Sequence, residues 1–230
     1  MARKRLILLA AVSALAAFTL SLPLSWAASL FVPKELPKLT YQGTIWNGTV
    51  SDIPVFGTAN FKLHPLSLSA DVETGEGKNY LAATASRTEA RDVRVVIDLS
   101  TLPLTDQRLQ NVFGTVTATL SKLGYTPEGC TSAEGNIHTD VLQRNGGTIN
   151  WVGPELSGPV SCENGALLAT VSGQDAEQSV EAMMRFSPDG TYRADITART
   201  SRQEAGALLP LFGFTRVGQD FKLTEQGKWR

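Results

Sequence analysis

The 230-residue sequence predicts a mainly β protein, an antiparallel multi-stranded sheet preceded by one N-terminal transmembrane helix. Three observations predict it. Beyond Val32, apolar side chains recur with period two in short runs cut by Gly, Pro, Asn and Asp, the pattern of strands and turns. The segments joining those runs are short, whereas a parallel crossover needs about a dozen residues or more, so pairing is antiparallel. Ahead of them, Arg3, Lys4 and Arg5 precede a stretch from Leu6 to Val32 that contains no charged residue.

That stretch comes first in the chain. A bilayer core of about 30 Å takes roughly 20 apolar residues at 1.5 Å each, and Leu6 to Trp26 supplies them. The basic cluster before it favours a cytoplasmic N-terminus. Residues 1–5 are therefore assigned to the cytoplasm, 6–28 to a signal-anchor and 29–230 to an exported β-rich domain. The rival is a cleaved signal peptide, because Ser25-Trp26-Ala27 before Ala28 fits a small-residue cleavage pattern. Both routes remain open here, and on either one the rest of the chain leaves the cytoplasm.

The expected strands are, in order, Thr40–Val50, Pro54–Leu63, Leu66–Val72, Ala82–Ala85, Val93–Leu99, Gly114–Leu120, Asn136–Leu142, Gly147–Val152, Glu155–Cys162, Ala166–Ser172 and Gln219–Lys228. The clearest hairpin lies between the last two. Val180, Ala182, Met184 and Phe186 line one face of its first strand, and Tyr192, Ala194, Ile196 and Ala198 one face of its second. Ser187-Pro188-Asp189-Gly190 joins them, with Pro where a type I turn wants a preset φ and Gly where the chain leaves it. Two segments read as helical: Leu104–Phe113, after a Thr/Asp start, and Arg202–Phe212, which Pro210 should end. The pattern alone does not decide among a sandwich, a barrel-like roll and an open curved layer.

Composition narrows function. The leader carries three basic residues and no acidic one, leaving 18 basic against 22 acidic beyond it, a net of −4. That mild acidity argues against a nucleic-acid partner. The two cysteines, Cys130 and Cys162, both lie in the exported part, where an even pair reads as a candidate structural disulfide.

Chemistry is harder to find. Nucleophilic hydrolysis needs a Ser or Cys beside a base, and the two histidines, His64 in KLHPL and His138 in NIHTD, sit in strand-like surroundings with no elbow motif. Gly75-x-Gly77 lacks the third glycine of a dinucleotide loop, since Tyr80 occupies that place. Glu73 with Glu76, and Asp92 with Asp98, are the kind of charges that solvate loops and strand edges. No catalytic residue, cofactor site or metal site is assigned, and the chain is not expected to be an enzyme. The distinctive motif is Gly43-Thr44-Ile45-Trp46-Asn47-Gly48, a large aromatic between two glycines. Gly43 and Gly48 permit a bend or bulge there and Trp46 covers the neighbouring core edge; such a bend near the membrane also positions the sheet against a partner or lipid.

Taken in order, the N-terminal apolar anchor, the GTIWNG motif, Cys130 followed by GPELSGPVSCENGALLATVSG with Cys162, and the final hairpin, EAGALLPLFGF and terminal strand with Gly227 resemble the protein N family of type II secretion systems. The resemblance covers most of the exported chain. It implies a single-pass inner-membrane protein with its bulk in the periplasm, working with other components of the machine that exports folded proteins across the outer membrane. It supplies no catalytic residues. The alternative from another class is a membrane-tethered periplasmic protein that binds lipid or another apolar ligand on one face of its sheet.

Overall fold

The computed structural model describes residues 21–26, 39–75, 78–102, 112–145 and 152–228. They build one sheet of fourteen strands in which sequence neighbours are spatial neighbours, except that the last two exchange places. The strands are β1 (Thr40–Gly43), β2 (Asn47–Ile53), β3 (Gly57–His64), β4 (Ser69–Thr74), β5 (Tyr80–Ser86), β6 (Glu89–Asp98) and β7 (Thr115–Thr126). They continue with β8 (Gly129–Thr139), β9 (Leu156–Glu163), β10 (Ala166–Gln174), β11 (Gln178–Phe186), β12 (Thr191–Thr200), β13 (Thr215–Val217) and β14 (Asp220–Lys228). The short helix α1 (Val141–Arg144) follows β8, and α2 (Gln203–Leu208) follows β12.

Alternation of apolar and polar residues gives this sheet two unlike faces. The registers align Phe61, Val72 and Ala83 on one face, and further along Val93, Leu120, Val160, Ala169 and Met184. The other face carries Lys62, Asp71, Thr84, Arg91, Lys122 and Glu134 in sequence across five pairings. The SPDG turn forms as expected, with the Gly190 amide donating to the Ser187 carbonyl at 3.1 Å and Gly190 at φ 84°.

The strand contacts run between sheet neighbours, with β8 also reaching β10 across β9, and no second sheet layer packs on the apolar face among the described elements. Of the three architectures left open by the pattern, the open meander is the one adopted. Register shifts in β2–β3, β5–β6 and twice in β7–β8 bend it. Its core is correspondingly thin, and no large side chain is fully buried among the described residues. One cluster gathers Ala90, Val93, Leu120, Val160 and Ala169; the other gathers Leu156, Val171, Val180, Ala182, Ala198 and Phe221 under Ala205 and Leu209.

Ala205 belongs to α2, and Leu209 to the 3-10 turn that continues it to Phe212. The α-helix stops at Leu208, just ahead of Pro210, as expected. Pro210 then sits in the first turn of the 3-10 piece, where a missing N–H costs nothing, and Gly213 at φ 91° ends that piece.

Other expectations need correction. Thr40–Val50 is a hairpin, not one strand. Residues 54–56 and 65–68 are turns rather than the starts of strands. The strand expected to reach Leu142 stops at Thr139, because Asp140 accepts from the Thr115 amide at 2.6 Å and leads into α1. Most of the helix expected over Leu104–Phe113, and the strand over Gly147–Val152, lie outside the described residues. So does the expected transmembrane helix over residues 6–20 and 27–28. Its described part, 21–26, is a turn, a bridge at Pro23 and one helical turn, so a continuous helix through residue 28 is not what forms there. Among the described residues no helix is long and apolar enough to cross a membrane.

Candidate functional site

The GTIWNG motif is the tight connection between β1 and β2. Gly43 stands opposite Gly48 in the ladder, and Gly43 adopts φ 88°, a left-handed conformation that glycine takes without steric cost. The Thr44 hydroxyl holds the loop from inside, accepting from the Trp46 and Asn47 amides at 3.3 Å each. The Trp46 carbonyl accepts from the Leu63 amide at 2.7 Å, which ties this loop to the end of β3.

The same loop receives the end of the apolar leader. The Ile45 amide donates to the Leu22 carbonyl at 3.1 Å, and Pro23 bridges Thr44. Gly48 is buried, and a Cβ there would stand 2.9 Å from Leu24 Cδ2 and 3.0 Å from the Phe61 ring. Glycine at 48 is thus what lets Leu24 lie against the sheet. Gly43, Trp46 and Gly48 thus lie in or beside this hairpin connection, whose contacts are with the chain's own leader and with the end of β3.

Beside this loop lies the β3–β4 turn, residues 65–68, closed by the His64–Ser69 pair. Leu66 is 102% exposed and Leu68 is 78% exposed. Leu68 also adopts φ 50°, a region where a bulky side chain is strained and Gly or Asn is at home. The sequence reading missed this pair by assigning both leucines to a strand. Pro65 and two serines spaced around them in HPLSLS were the available signal.

Cys130 and Cys162 form a disulfide, with Cα atoms 5.6 Å apart, stapling the start of β8 to the end of β9. Beside it Cys130 donates its amide to the Gly165 carbonyl at 2.8 Å. The loop it closes spans 32 residues.

The polar face is a lattice of cross-strand pairs. His64 Nε2 lies 2.8 Å from Asp71 Oδ2, and Thr84 donates to the other oxygen of Asp71 at 2.9 Å. Those two bonds, His64 first, hold the Asp71 carboxyl below its ordinary value. Arg193 and Thr224 do the same for Asp195, and Arg199 for Asp220. Each carboxylate here meets a cation or hydroxyl that stabilises its charge, which is the electrostatics of a solvated surface rather than of a poised acid or base. His138 Nε2 sits 3.9 Å from Glu155 on the same polar face. Among the described residues no group of three or more His, Cys, Asp or Glu is placed to hold a metal. Asp92 lies within β6 and Asp98 at its end, six residues apart in sequence, and Asp98 caps the turn after it by accepting from the Ser100 amide at 3.0 Å. Glu73 meets the Tyr80 hydroxyl at 3.3 Å. Gly75 closes the β4–β5 connection, while Glu76 and Gly77 lie outside the described residues.

The sheet ends in two edges. β13 pairs only with residues 220–222 of β14, so the outer side of 223–228 has no strand beside it among the described residues. Such an edge presents backbone N–H and C=O groups to a further strand.

Residues 39–224, the meander from its first strand into its last, match the family model of type II secretion system protein N. The chain belongs to the type II secretion system protein N family. The match begins one residue before β1 and so includes the GTIWNG hairpin, the disulfide and the α2 cover. No curated protein and no solved structure matches this family member.

Proposed function

We propose that this protein is a non-enzymatic, inner-membrane component of the type II secretion system, whose periplasmic sheet serves as a scaffold for other components during export of folded proteins. The observation that carries the reading is the family match over almost the whole described sheet. The architecture agrees with it: fourteen strands in one layer offer broad faces and, among the described residues, an open edge beside 223–228, and on the polar face Arg91 pairs with Glu89, Arg193 with Asp195 and Arg199 with Asp220. A partner strand added to the open side of β14 gains main-chain hydrogen bonds without rearranging the sheet.

The leader, in this reading, stays attached. Cleavage after Ala27 would detach Leu22, Pro23 and Leu24 from the Thr44–Gly48 loop that they pack against. The test is deletion of the gene in its host, followed by assay of normally secreted proteins. Periplasmic accumulation, reversed by the intact chain, is expected. Unchanged secretion overturns the proposal.

One observation favours a second reading, lipid or apolar-ligand binding. The apolar face continues across the sheet with α2 and its 3-10 extension packed against only its C-terminal end. Mass spectrometry of the gently solubilised protein decides it: a stoichiometric co-purified lipid is expected on this reading, and its absence overturns it.

A further inference from the structure

Three separate segments meet at one corner of the sheet. The leader end, 21–26, is bonded to the β1–β2 loop through Ile45 and Thr44. That loop is bonded to the end of β3 through Trp46 and Leu63, and β3 turns directly into residues 65–68. The corner presents Trp26, which is 53% exposed, together with Leu63, Leu66 and Leu68. Other large apolar side chains are exposed too, Leu211 at the α2 end among them at 73%, but Leu66 and Leu68 are the two most exposed among the described residues, and they stand beside Leu63 on one strand end and its turn.

Two properties separate these leucines from chance exposure. Leu68 is strained at φ 50° and gains no burial from it. Fold stability alone would place Gly or Asn there. The segments 21–26, 44–50 and 61–70 contain no Asp or Glu at all, and their charged or titratable residues are Lys62 and His64, the latter paired with Asp71 of β4. Segments with large apolar tips, a tryptophan and no carboxylate of their own, the neighbouring Asp71 being paired with His64, suit the boundary between lipid headgroups and acyl chains. The chain itself points to the same occupant, because the uncharged run that starts at Leu6 arrives at this corner, where Leu22 and Pro23 dock.

We propose that this corner, comprising Trp26, the Thr44–Trp46 loop and the Leu66/Leu68 turn, is a second membrane contact that inserts into the interface of a lipid bilayer. It extends the membrane tether of the preceding section. The tether fixes where the protein is; the corner fixes how the sheet stands, with the β1–β4 end at the lipid surface and the α2 end of the strands pointing away. β12 runs from the SPDG turn, on the same side as the corner, to Thr200, so α2 lies at the opposite ends of the strands.

The experiment uses the full chain in vesicles of phosphatidylethanolamine and phosphatidylglycerol, with Cys130–Cys162 left oxidised. An environment-sensitive dye is placed on one added cysteine at a time: Leu66→Cys, Leu68→Cys, Glu204→Cys in α2, and Ala16→Cys in the leader. Lipids carrying a nitroxide near the headgroup serve as quenchers. The dyes at 66 and 68 are expected to emit at shorter wavelength and to lose at least half their intensity to the quencher, while the dye at 204 is unaffected. Dyes at 66 and 68 that behave like the one at 204 overturn the corner contact. The dye at 16 reports the tether separately, through a quencher deep in the acyl chains, so failure of the tether and failure of the corner give different patterns. Leu66 and Leu68 are exposed, so labelling them removes no core contact.

Discussion

The two ends of the sheet are built to different standards. From β8 onward every strand but β13 runs eight residues or more, apolar residues gather under α2, and a disulfide joins two of these strands. In β1–β5 the single buried apolar side chain is Ala59. Among the described residues, four of the five non-glycine residues at positive φ, Asp52, Val55, Leu68 and Asp92, fall in β1–β6 and its turns, and one, Asn164, in the remainder. Backbone strain therefore collects in the N-terminal strands, and packing collects in the C-terminal ones. A sheet that must keep its shape while one corner meets something else would be divided in this way, because the low-stability region is where adaptable surface is found.

The largest effect that would sharpen this contrast comes from Phe221→Ala. Phe221 is buried between Ala198 and the α2 segment, and Arg216 lies over its ring at 5.8 Å. Truncation should cost about 3 kcal/mol, at the low end for buried Phe because the layer is open on one side. Hydrogen exchange on the full chain should show the loss in β11–β14 and α2, with β2–β5 unchanged. Next is the double change Cys130→Ser with Cys162→Ser. A disulfide closing a loop of this size contributes about 3 kcal/mol under the chain-entropy model. Exchange should rise across β8–β10, and equal rises in β2–β5 would break the comparison by making the two ends one cooperative unit.

Much of this design was legible. The SPDG hairpin could be read residue by residue, because Pro188, Asp189 and Gly190 each have one dominant turn role and the flanking strands alternate cleanly. The cysteine pairing followed from count and compartment. What failed was local. Thr40–Val50 looks continuous because Tyr41 and Val50 suit a strand, and Gly43 and Gly48 read as a bend within it; in the structure they face each other across a hairpin whose connection is residues 44–46. Leu66 and Leu68 keep strand periodicity, so alternation alone sent them to a strand. The docking of the leader on Gly48 is a tertiary contact between distant segments, which no local pattern encodes.

Leu68→Gly tests the strained end with a smaller change of opposite sign. Relief of the φ 50° conformation should stabilise the turn by about 0.5–1 kcal/mol, offset in part by the greater freedom glycine gives the unfolded chain. Slower exchange at Ser69–Asp71 in detergent would bear this out, whereas faster exchange would mean that Leu68 has a packing role and that the corner is ordinary core.

The smallest effects, group by group, are those of acid. Asp71, Glu89 and Asp98 in β4 and β6, and Asp175, Asp195 and Asp220 beyond β9, all have carboxyls held below their ordinary values, through His64, Arg91, Ser100, Glu177 N–H, Arg193 and Arg199 in turn. A carboxyl depressed by folding contributes stability that is complete above its unfolded value, 3.8 for Asp and 4.5 for Glu, and lost as pH falls through the lower folded value. These pairs are solvated, so each adds little, and both ends of the sheet lose them over the same window. What differs is what remains. β11–β14 keep the packing around Phe221, while β3–β5 keep little beyond Ala59 and the ladder itself. Lowering the pH from 5 towards 3 should therefore cost β3–β5 their exchange protection, corrected for intrinsic rate, at a higher pH than β11–β14. Simultaneous loss would place the stability of both ends in the polar lattice and remove the division between them.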